Sequence, residues 1–160
     1  MREDLQNKLY EKYPKIFAQK DLPMTQTAMC WGISCGDGWY DIIDTLCHHI
    51  QRQVDDPVEA VDKYEKWLSD PELQDSNRQH LERLLQKAKS NIIEQVEAAQ
   101  VKEKYGGLRF YVMGGNEVVD ALISFAEDMS YRTCESCGSP ASPSEGGWIT
   151  TRCNKCKGEI

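Results

Sequence analysis

The sequence lacks a long hydrophobic run. Its longest uninterrupted apolar stretches are only a few residues, whereas a helix that crosses a bilayer needs roughly 20. The opening segment, MREDLQNKLYEKY, also lacks the apolar core of a secretory signal. We therefore expect a protein that makes no membrane contact and resides in the cytoplasm.

The sequence also lacks a basic excess and the common catalytic signatures. It has 26 acidic residues against 19 basic ones and a formal net charge of −7, whereas proteins that grip a phosphate backbone usually carry the opposite balance. No Walker loop, HExxH motif or GxSxG motif is present. Broad nucleic-acid binding and enzymatic activity are therefore weakly indicated, although a small cluster of Lys and Arg can still hold one compact anion.

The chain has enough apolar material for one core. Of its 160 residues, 40% are hydrophobic, with four Trp and seven Tyr, which suits one domain with a small appended module. We expect an α+β fold, in which residues 1–130 form a mainly helical single domain with a small β-hairpin. Residues 131–160 are expected to form a zinc-ribbon or zinc-knuckle module.

Helical spacing of apolar residues predicts most of the first hundred residues. A first helix is predicted over residues 2–13 and a second from Asp37, which serves as its N-cap. Pro57 predicts the start of a third helix, and residues 71–96 a long amphipathic one. Residues 55–97 are thus expected to form an inserted αα-hairpin, which serves as an outward arm, as a partner surface or simply as packing on the core.

The remaining segments before the C-terminal module read as loop, strand and helix. Residues 15–38 are predicted as loop with a short strand at residues 28–33, because Pro and Gly interrupt any helical period. Strand-forming residues on both sides of Gly106–Gly107 predict a β-hairpin. Asn116 is the predicted N-cap of a last helix.

Four cysteines near the C-terminus have the spacing of a zinc ribbon. Cys134 and Cys137 form one CxxC pair, and Cys153 and Cys156 form a second one after fifteen intervening residues. Four sulfur ligands leave no open position, so the expected zinc ion is structural. Basic residues in this module leave contact with an anion or a nucleic acid open; they are Arg132, Arg152, Lys155 and Lys157.

Two further motifs predict an anion site. Gly36 and Gly38 flank Asp37 before Trp39 at a loop-to-helix junction, where exposed amides favour an anion. The alternative is a capped tight turn with the tryptophan as a core anchor. In the hairpin, two lysines and an arginine flank the Gly-Gly turn and can share one face, which suits a phosphate and a stacked base. The alternative there is a solvated strand face. The predicted ligand-binding residues are Asp37, Gly38, Trp39, Lys102, Lys104, Tyr105, Arg109 and Tyr111.

The three other cysteines and two histidines leave a thiol enzyme open as an alternative. Cys30, Cys35 and Cys47 lie outside the CxxC pairs, and His48 and His49 lie in a predicted helix. A catalytic Cys–His pair would need them to converge in space, which the sequence does not show. A core or surface role is the simpler interpretation.

Three segments, in order, carry a resemblance to a known family. CGDGWYDIIDTLC, QVKEKYGGLRFYV, and the stretch from AEDMSYRTCESCG through GGWITTRCNKC resemble small proteins of tailed bacteriophages and prophages. The resemblance covers roughly 28–54 and 98–157, and residues 55–96 depart from it. It implies a phage origin, a cytoplasmic location in the infected host cell and a non-essential accessory role, with no settled activity.

Three functions are compatible with these patterns. The first is a counter-defence protein that binds and sequesters a small anionic ligand, such as a host immune nucleotide signal. The second is a zinc-ribbon adaptor that binds a host protein or nucleic acid. The third is an enzyme that uses Cys or His with Asp37. Self-association of the chain is open under each of them.

Overall fold

The computed structural model describes residues 1–158; Glu159 and Ile160, the end of the predicted module, lie outside them. The fold is α+β, as predicted. The helices are α1 (Glu3–Lys12), α2 (Tyr40–Leu68), α3 (Asp75–Ser90) and α4 (Glu117–Ser130). The strands are β1 (Ile33–Ser34), β2 (Glu97–Lys104), β3 (Gly107–Met113), β4 (Ser142–Pro143) and β5 (Thr151–Arg152).

One apolar core joins the first half of α2, the sheet and α4. On α2, Ile43, Leu46, Cys47 and Ile50 recur at the 3–4 spacing that puts them on one buried face. Ala98 and Val101 of β2 and Leu108 and Phe110 of β3 belong to the same core. The two β2 residues are three apart because the strand register shifts between Ala98 and Gln100. No helix within residues 1–158 is long and apolar enough to span a membrane.

The predicted β-hairpin is confirmed. Strand β2 pairs antiparallel with β3 and parallel with β1, so β2 is the central strand. Lys104 pairs with Gly107, so the two-residue turn is Tyr105–Gly106, one residue earlier than the predicted turn at Gly106–Gly107. Both turn residues have positive φ angles, 54° and 74°, and this is the backbone of a type I′ turn, whose twist matches that of the flanking strands.

The outer edge of β3 is covered by α4. Leu108 N donates to Ser130 Oγ at 2.8 Å, and Phe110 N donates to Glu127 Oε1 at 3.0 Å. An exposed edge strand presents unpaired amides that can recruit another strand. These two side chains satisfy such amides and fix α4 beside the hairpin. The predicted cap of α4 is also confirmed, because Asn116 Oδ1 accepts from the amides of the first turn.

Four local predictions were wrong. The short strand predicted at residues 28–33 is a 3-10 turn at Met29–Trp31, and β1 begins only at Ile33. Pro57 does not start a helix, because α2 continues through it as one 29-residue helix. Asp37 does not cap α2, because its carboxylate accepts from Arg2 N and pairs with Arg2 Nε, both at 2.7 Å. The long helix predicted to Val96 ends at Ser90, because the chain must then extend into β2.

The second half of α2 and α3 form the predicted antiparallel pair, which we call the arm. Leu81 and Ala88 of α3 are buried against α2 but lie outside the main core cluster. The base of the arm is closed by the amides of Gln51 and Gln95, whose side chains hydrogen-bond at 3.2 and 3.3 Å. Whether the arm is an insertion, and whether the chain divides at residue 130, stay predictions.

We expect the arm to be dispensable for folding. Residues 56–91 can be replaced by a Gly/Ser linker of about six residues, which is long enough to span the roughly 10 Å between packed helices. The changed loop length should alter the free energy of unfolding by only on the order of 1 kcal/mol. Urea denaturation and size-exclusion chromatography should show a folded monomeric core. Removal of residues 51–95 is the contrasting variant, because it also deletes the buried Val54. Aggregation of the shorter deletion would contradict the prediction.

Candidate metal centre and ligand-binding cleft

The four C-terminal cysteines form one cluster that could hold a metal ion. The Sγ atoms of Cys134, Cys137, Cys153 and Cys156 all lie within 4.8 Å of one another. Each CxxC pair is a tight turn, and the short β4–β5 ribbon connects the two turns. Four protein ligands around one point leave no vacant coordination position, so a metal held here would be structural.

Hydrogen bonding favours the deprotonated form of one of these thiols, Cys137. Hydrogen bonds with Cys137 and Cys153 raise the pKa of Cys156, whereas hydrogen bonds with Ser139, and then with the neighbouring cysteines, lower the pKa of the exposed Cys137 thiol to about 6. Metal ligands must be deprotonated, so a thiol with this pKa releases its proton readily at neutral pH.

The first turn of this cluster, residues 134–138, packs on the CGDG segment. Gly38 N donates to Glu135 O at 2.7 Å, and Gly36 N donates to Glu135 Oε1 at 2.9 Å. A Cβ atom at Gly38 would lie 2.1 Å from Cys134 O, and one at Gly36 would lie 2.3 Å from Glu135 O. Only glycine permits this backbone approach, so the Gly-Asp-Gly pattern serves as a docking site for the cysteine turn.

Trp39 belongs to the same contact. Its side chain is fully buried, and its Nε1 donates to Thr133 O at 2.8 Å. Asp37 is held by Arg2 on the other side of the turn. The structure therefore places Gly38 and Trp39 against the cysteine module, and it does not bring them together with the hairpin cations in one open cleft.

The hairpin turn is a second docking point for the module. Thr151 Oγ1 donates to Gly106 O at 2.5 Å. A Cβ atom at Gly107 would lie 2.3 Å from the ring of Tyr131, and one at Gly106 would lie 2.9 Å from Ile149. Close packing thus explains both glycines, and turn geometry explains Gly106 as well.

The three predicted cations lie on one face of the hairpin but have different contacts. Lys102 and Arg109 are cross-strand partners, and Lys102 Nζ lies 5.6 Å from the ring centroid of Tyr111. Arg109 instead donates to Tyr131 Oη at 2.7 Å and lies 3.7 Å from a carboxylate oxygen of Glu127. Its guanidinium is therefore engaged with α4 and the residue that follows it.

A cleft of about 420 Å³ lies between the hairpin turn and the loop that separates the two CxxC pairs. Two of its lining rings are highly exposed, Tyr105 at 68% and Trp148 at 83%. Lys104 Nζ lies 5.4 Å from the Tyr105 ring centroid. Sequence reasoning selected Lys104 and Tyr105 but missed Trp148, whose only signal was a tryptophan in a Ser/Gly-rich loop.

Two of the three other cysteines, Cys35 and Cys47, are buried and poorly placed for nucleophilic chemistry. Burial raises the pKa of Cys35 to about 12 and also raises that of Cys47. Both therefore remain neutral thiols near pH 7, whereas the reactive form is the thiolate. His48 and His49 are exposed on α2, with ring centroids 5.3 Å apart. This arrangement does not support a Cys–His pair.

Comparisons with protein-family models, with curated proteins and with solved structures find no match for this chain.

We expect Gly38→Ala to destabilise the contact between the core and the cysteine module. The added methyl group would overlap Cys134 O, and overpacking of this kind costs on the order of 2–3 kcal/mol. Urea denaturation should show a lower free energy of unfolding, and cobalt titration should show weaker metal binding. Gly158→Ala is the control, because nothing lies within 4 Å of the added atom. Wild-type stability of Gly38→Ala would contradict the close approach.

Proposed function

We propose that this protein binds and sequesters a small anionic ligand that carries a flat ring, of the nucleotide class, in the cleft between Tyr105 and Trp148. The observation that carries the proposal is the conformation of Tyr105. It adopts a left-handed backbone with φ of 54°, yet its ring is mostly exposed.

This conformation is unfavourable for a tyrosine. Type I′ turns favour Asn, Asp or Gly at their first position, and a bulky residue in a sparsely populated backbone region costs about 1–3 kcal/mol. An exposed ring offsets little of that cost through packing. Stacking with a ligand ring supplies a reason for tyrosine at this position.

The lining of the cleft fits such a ligand. Aromatic rings from the hairpin and the module loop offer stacking surfaces for a base, which are worth about 1–3 kcal/mol each. Lys104 offers a charge for phosphate. Glu103 is the acidic lining residue, and its carboxylate accepts from Gly106 N at 2.6 Å, which directs it to the turn backbone. The resemblance to phage proteins extends the proposal to a counter-defence role, with a host immune nucleotide signal as the ligand.

We propose zinc as the metal of the cysteine cluster. A tetrahedral site with Zn–S bonds of about 2.3 Å has sulfur–sulfur separations of about 3.8 Å. The Cys137 and Cys153 sulfurs lie 3.7 Å apart, which fits that edge length. Because Trp148 and Ile149 lie between the two CxxC pairs, this ion would order one wall of the cleft.

We expect purified protein to carry about one zinc ion per chain, since the ligand set is a closed tetrathiolate. Elemental analysis of protein prepared without chelator tests this. Cys134→Ser should lose most of the metal and should lower the melting temperature, because metal binding supplies folding energy to such modules. Cys30→Ser, outside the cluster, is the matched control and should retain the metal. Metal-free wild-type protein would contradict the prediction.

We expect Tyr105→Asn to weaken ligand binding at least tenfold without loss of stability. Loss of one stacking ring accounts for the lower affinity. Asparagine is favoured in this turn, so the melting temperature should stay unchanged or rise. A thermal-shift panel of ATP, GTP, cyclic mononucleotides and cyclic dinucleotides would select the probe. Calorimetry with that nucleotide would then compare the variant with wild type.

Trp148→Ala provides a second test of the cleft, and Trp31→Ala is its control. Trp31 is exposed at 66% but lies outside the cleft lining. Binding should weaken in the first variant only. No shift of the wild-type melting curve with any nucleotide in the panel would overturn the nucleotide assignment. Equal affinities of Tyr105→Asn, Trp148→Ala and wild type would overturn the cleft.

A further inference from the structure

A second concave surface, distinct from the ligand cleft, lies between α4 and the first half of α2. It is a groove of about 390 Å³ whose lining is mostly apolar. The apolar residues that line it are Ile42, Leu46, Leu122, Phe125, Ala126 and Met129. None of them belongs to the ligand cleft.

The fold leaves large side chains of this groove exposed. Phe125 is 67% exposed, and Met129 and Val118 lie on the same face of α4 with substantial exposure. The spacing of these residues, together with Leu122, is that of one helix face. An exposed phenylalanine within a contiguous apolar face contributes little to the stability of the free protein, and such patches mark interaction sites.

The two walls of the groove suit a third helix. On α2 the lining residues include Ile42, Leu46 and His49, and on α4 they include Leu122, Phe125 and Met129. Each set recurs at spacings of three, four and seven residues, which forms the ridges between which a helix packs. Helix α4 is about 21 Å long, enough for roughly four turns of a bound helix.

The charge around the groove defines the partner. Residues 40–51 and 117–130 contain six carboxylates and no Lys or Arg. Asp44 pairs with Lys12, and Glu127 faces Arg109. Asp41 lines the groove, and Asp128 lines a hollow that adjoins it, together with Arg132. Within residues 1–158 neither Asp41 nor Asp128 has an ion-pair partner. Complementary charge therefore favours a basic partner, and a second copy would oppose like charges.

We propose that the α2–α4 groove docks a basic amphipathic helix of a partner protein, with the apolar face of that helix on Phe125 and Met129 and its Lys or Arg residues beside Asp41 and Asp128. This surface is separate from the ligand cleft, so either proposal can fail alone.

A synthetic helical peptide tests this assignment. The probe is a fluorescein-labelled 18-residue peptide of Leu and Lys, with Leu on one helical face, and its counterpart carries Glu in place of Lys. Fluorescence anisotropy should detect binding of the basic peptide and much weaker binding of the acidic one. Phe125→Ser should weaken binding of the basic peptide at least tenfold. The double variant Asp41→Asn, Asp128→Asn should weaken it severalfold and reduce its salt dependence.

Matched variants separate the groove from general attraction to an acidic protein. Met24→Ser removes a side chain that is 63% exposed elsewhere and should bind like wild type. Met129→Ser replaces Phe125→Ser if circular dichroism shows that the latter is unfolded. Equal binding by Phe125→Ser and Met24→Ser, or equal binding of the acidic peptide, would overturn the proposal. A concentration-dependent dimer that Phe125→Ser abolishes in ultracentrifugation would also overturn it, in favour of self-association.

Discussion

The rest of the structure depends on the close contact between the Gly36–Gly38 backbone and the first cysteine turn. At Gly38 the two backbone segments approach so closely that any side chain at this position would overlap the carbonyl oxygen of Cys134. Hydrogen bonds from the amides of both glycines to Glu135 fix the register of that contact. Trp39 then inserts beside it and anchors the start of α2 in the core.

This contact makes the module part of the folded core rather than a free appendage. A small four-cysteine module buries little apolar surface of its own and takes much of its folding energy from its metal. Here it also satisfies polar groups of the core, at the CGDG turn through the backbone and side chain of Glu135 and at the hairpin turn through the side chain of Thr151. Loss of the metal is therefore expected to disturb the contacts that place Trp148 opposite Tyr105. Under the proposed function, metal binding by the cysteine cluster would therefore be coupled to ligand binding in the cleft.

The sequence predicted elements whose signals are local and missed those decided by distant residues. The β-hairpin, the Asn116 cap and the cysteine cluster each follow from a short motif whose geometry is nearly self-contained. Pro57 was misread because a proline can lie inside a helix whose other contacts hold it, as those of α2 with α3 do. Asp37 has the residue type of a cap, but the side chain of Arg2 occupies it.

The candidate site shows the same division. The sequence motifs identified glycines, cations and aromatic residues at the CGDG turn and the hairpin turn, but they did not show which of these side chains are exposed to solvent. Arg109 has the chemistry of a phosphate ligand, yet α4 brings Tyr131 and Glu127 to its guanidinium. Tyr105 differs from Arg109, because its ring makes few contacts and stays exposed while its backbone is strained. A side chain that makes close contacts within the fold is accounted for by those contacts. Tyr105 is strained and exposed and Phe125 is exposed, so contacts within the fold do not account for them, and the two proposed binding sites are built on these residues.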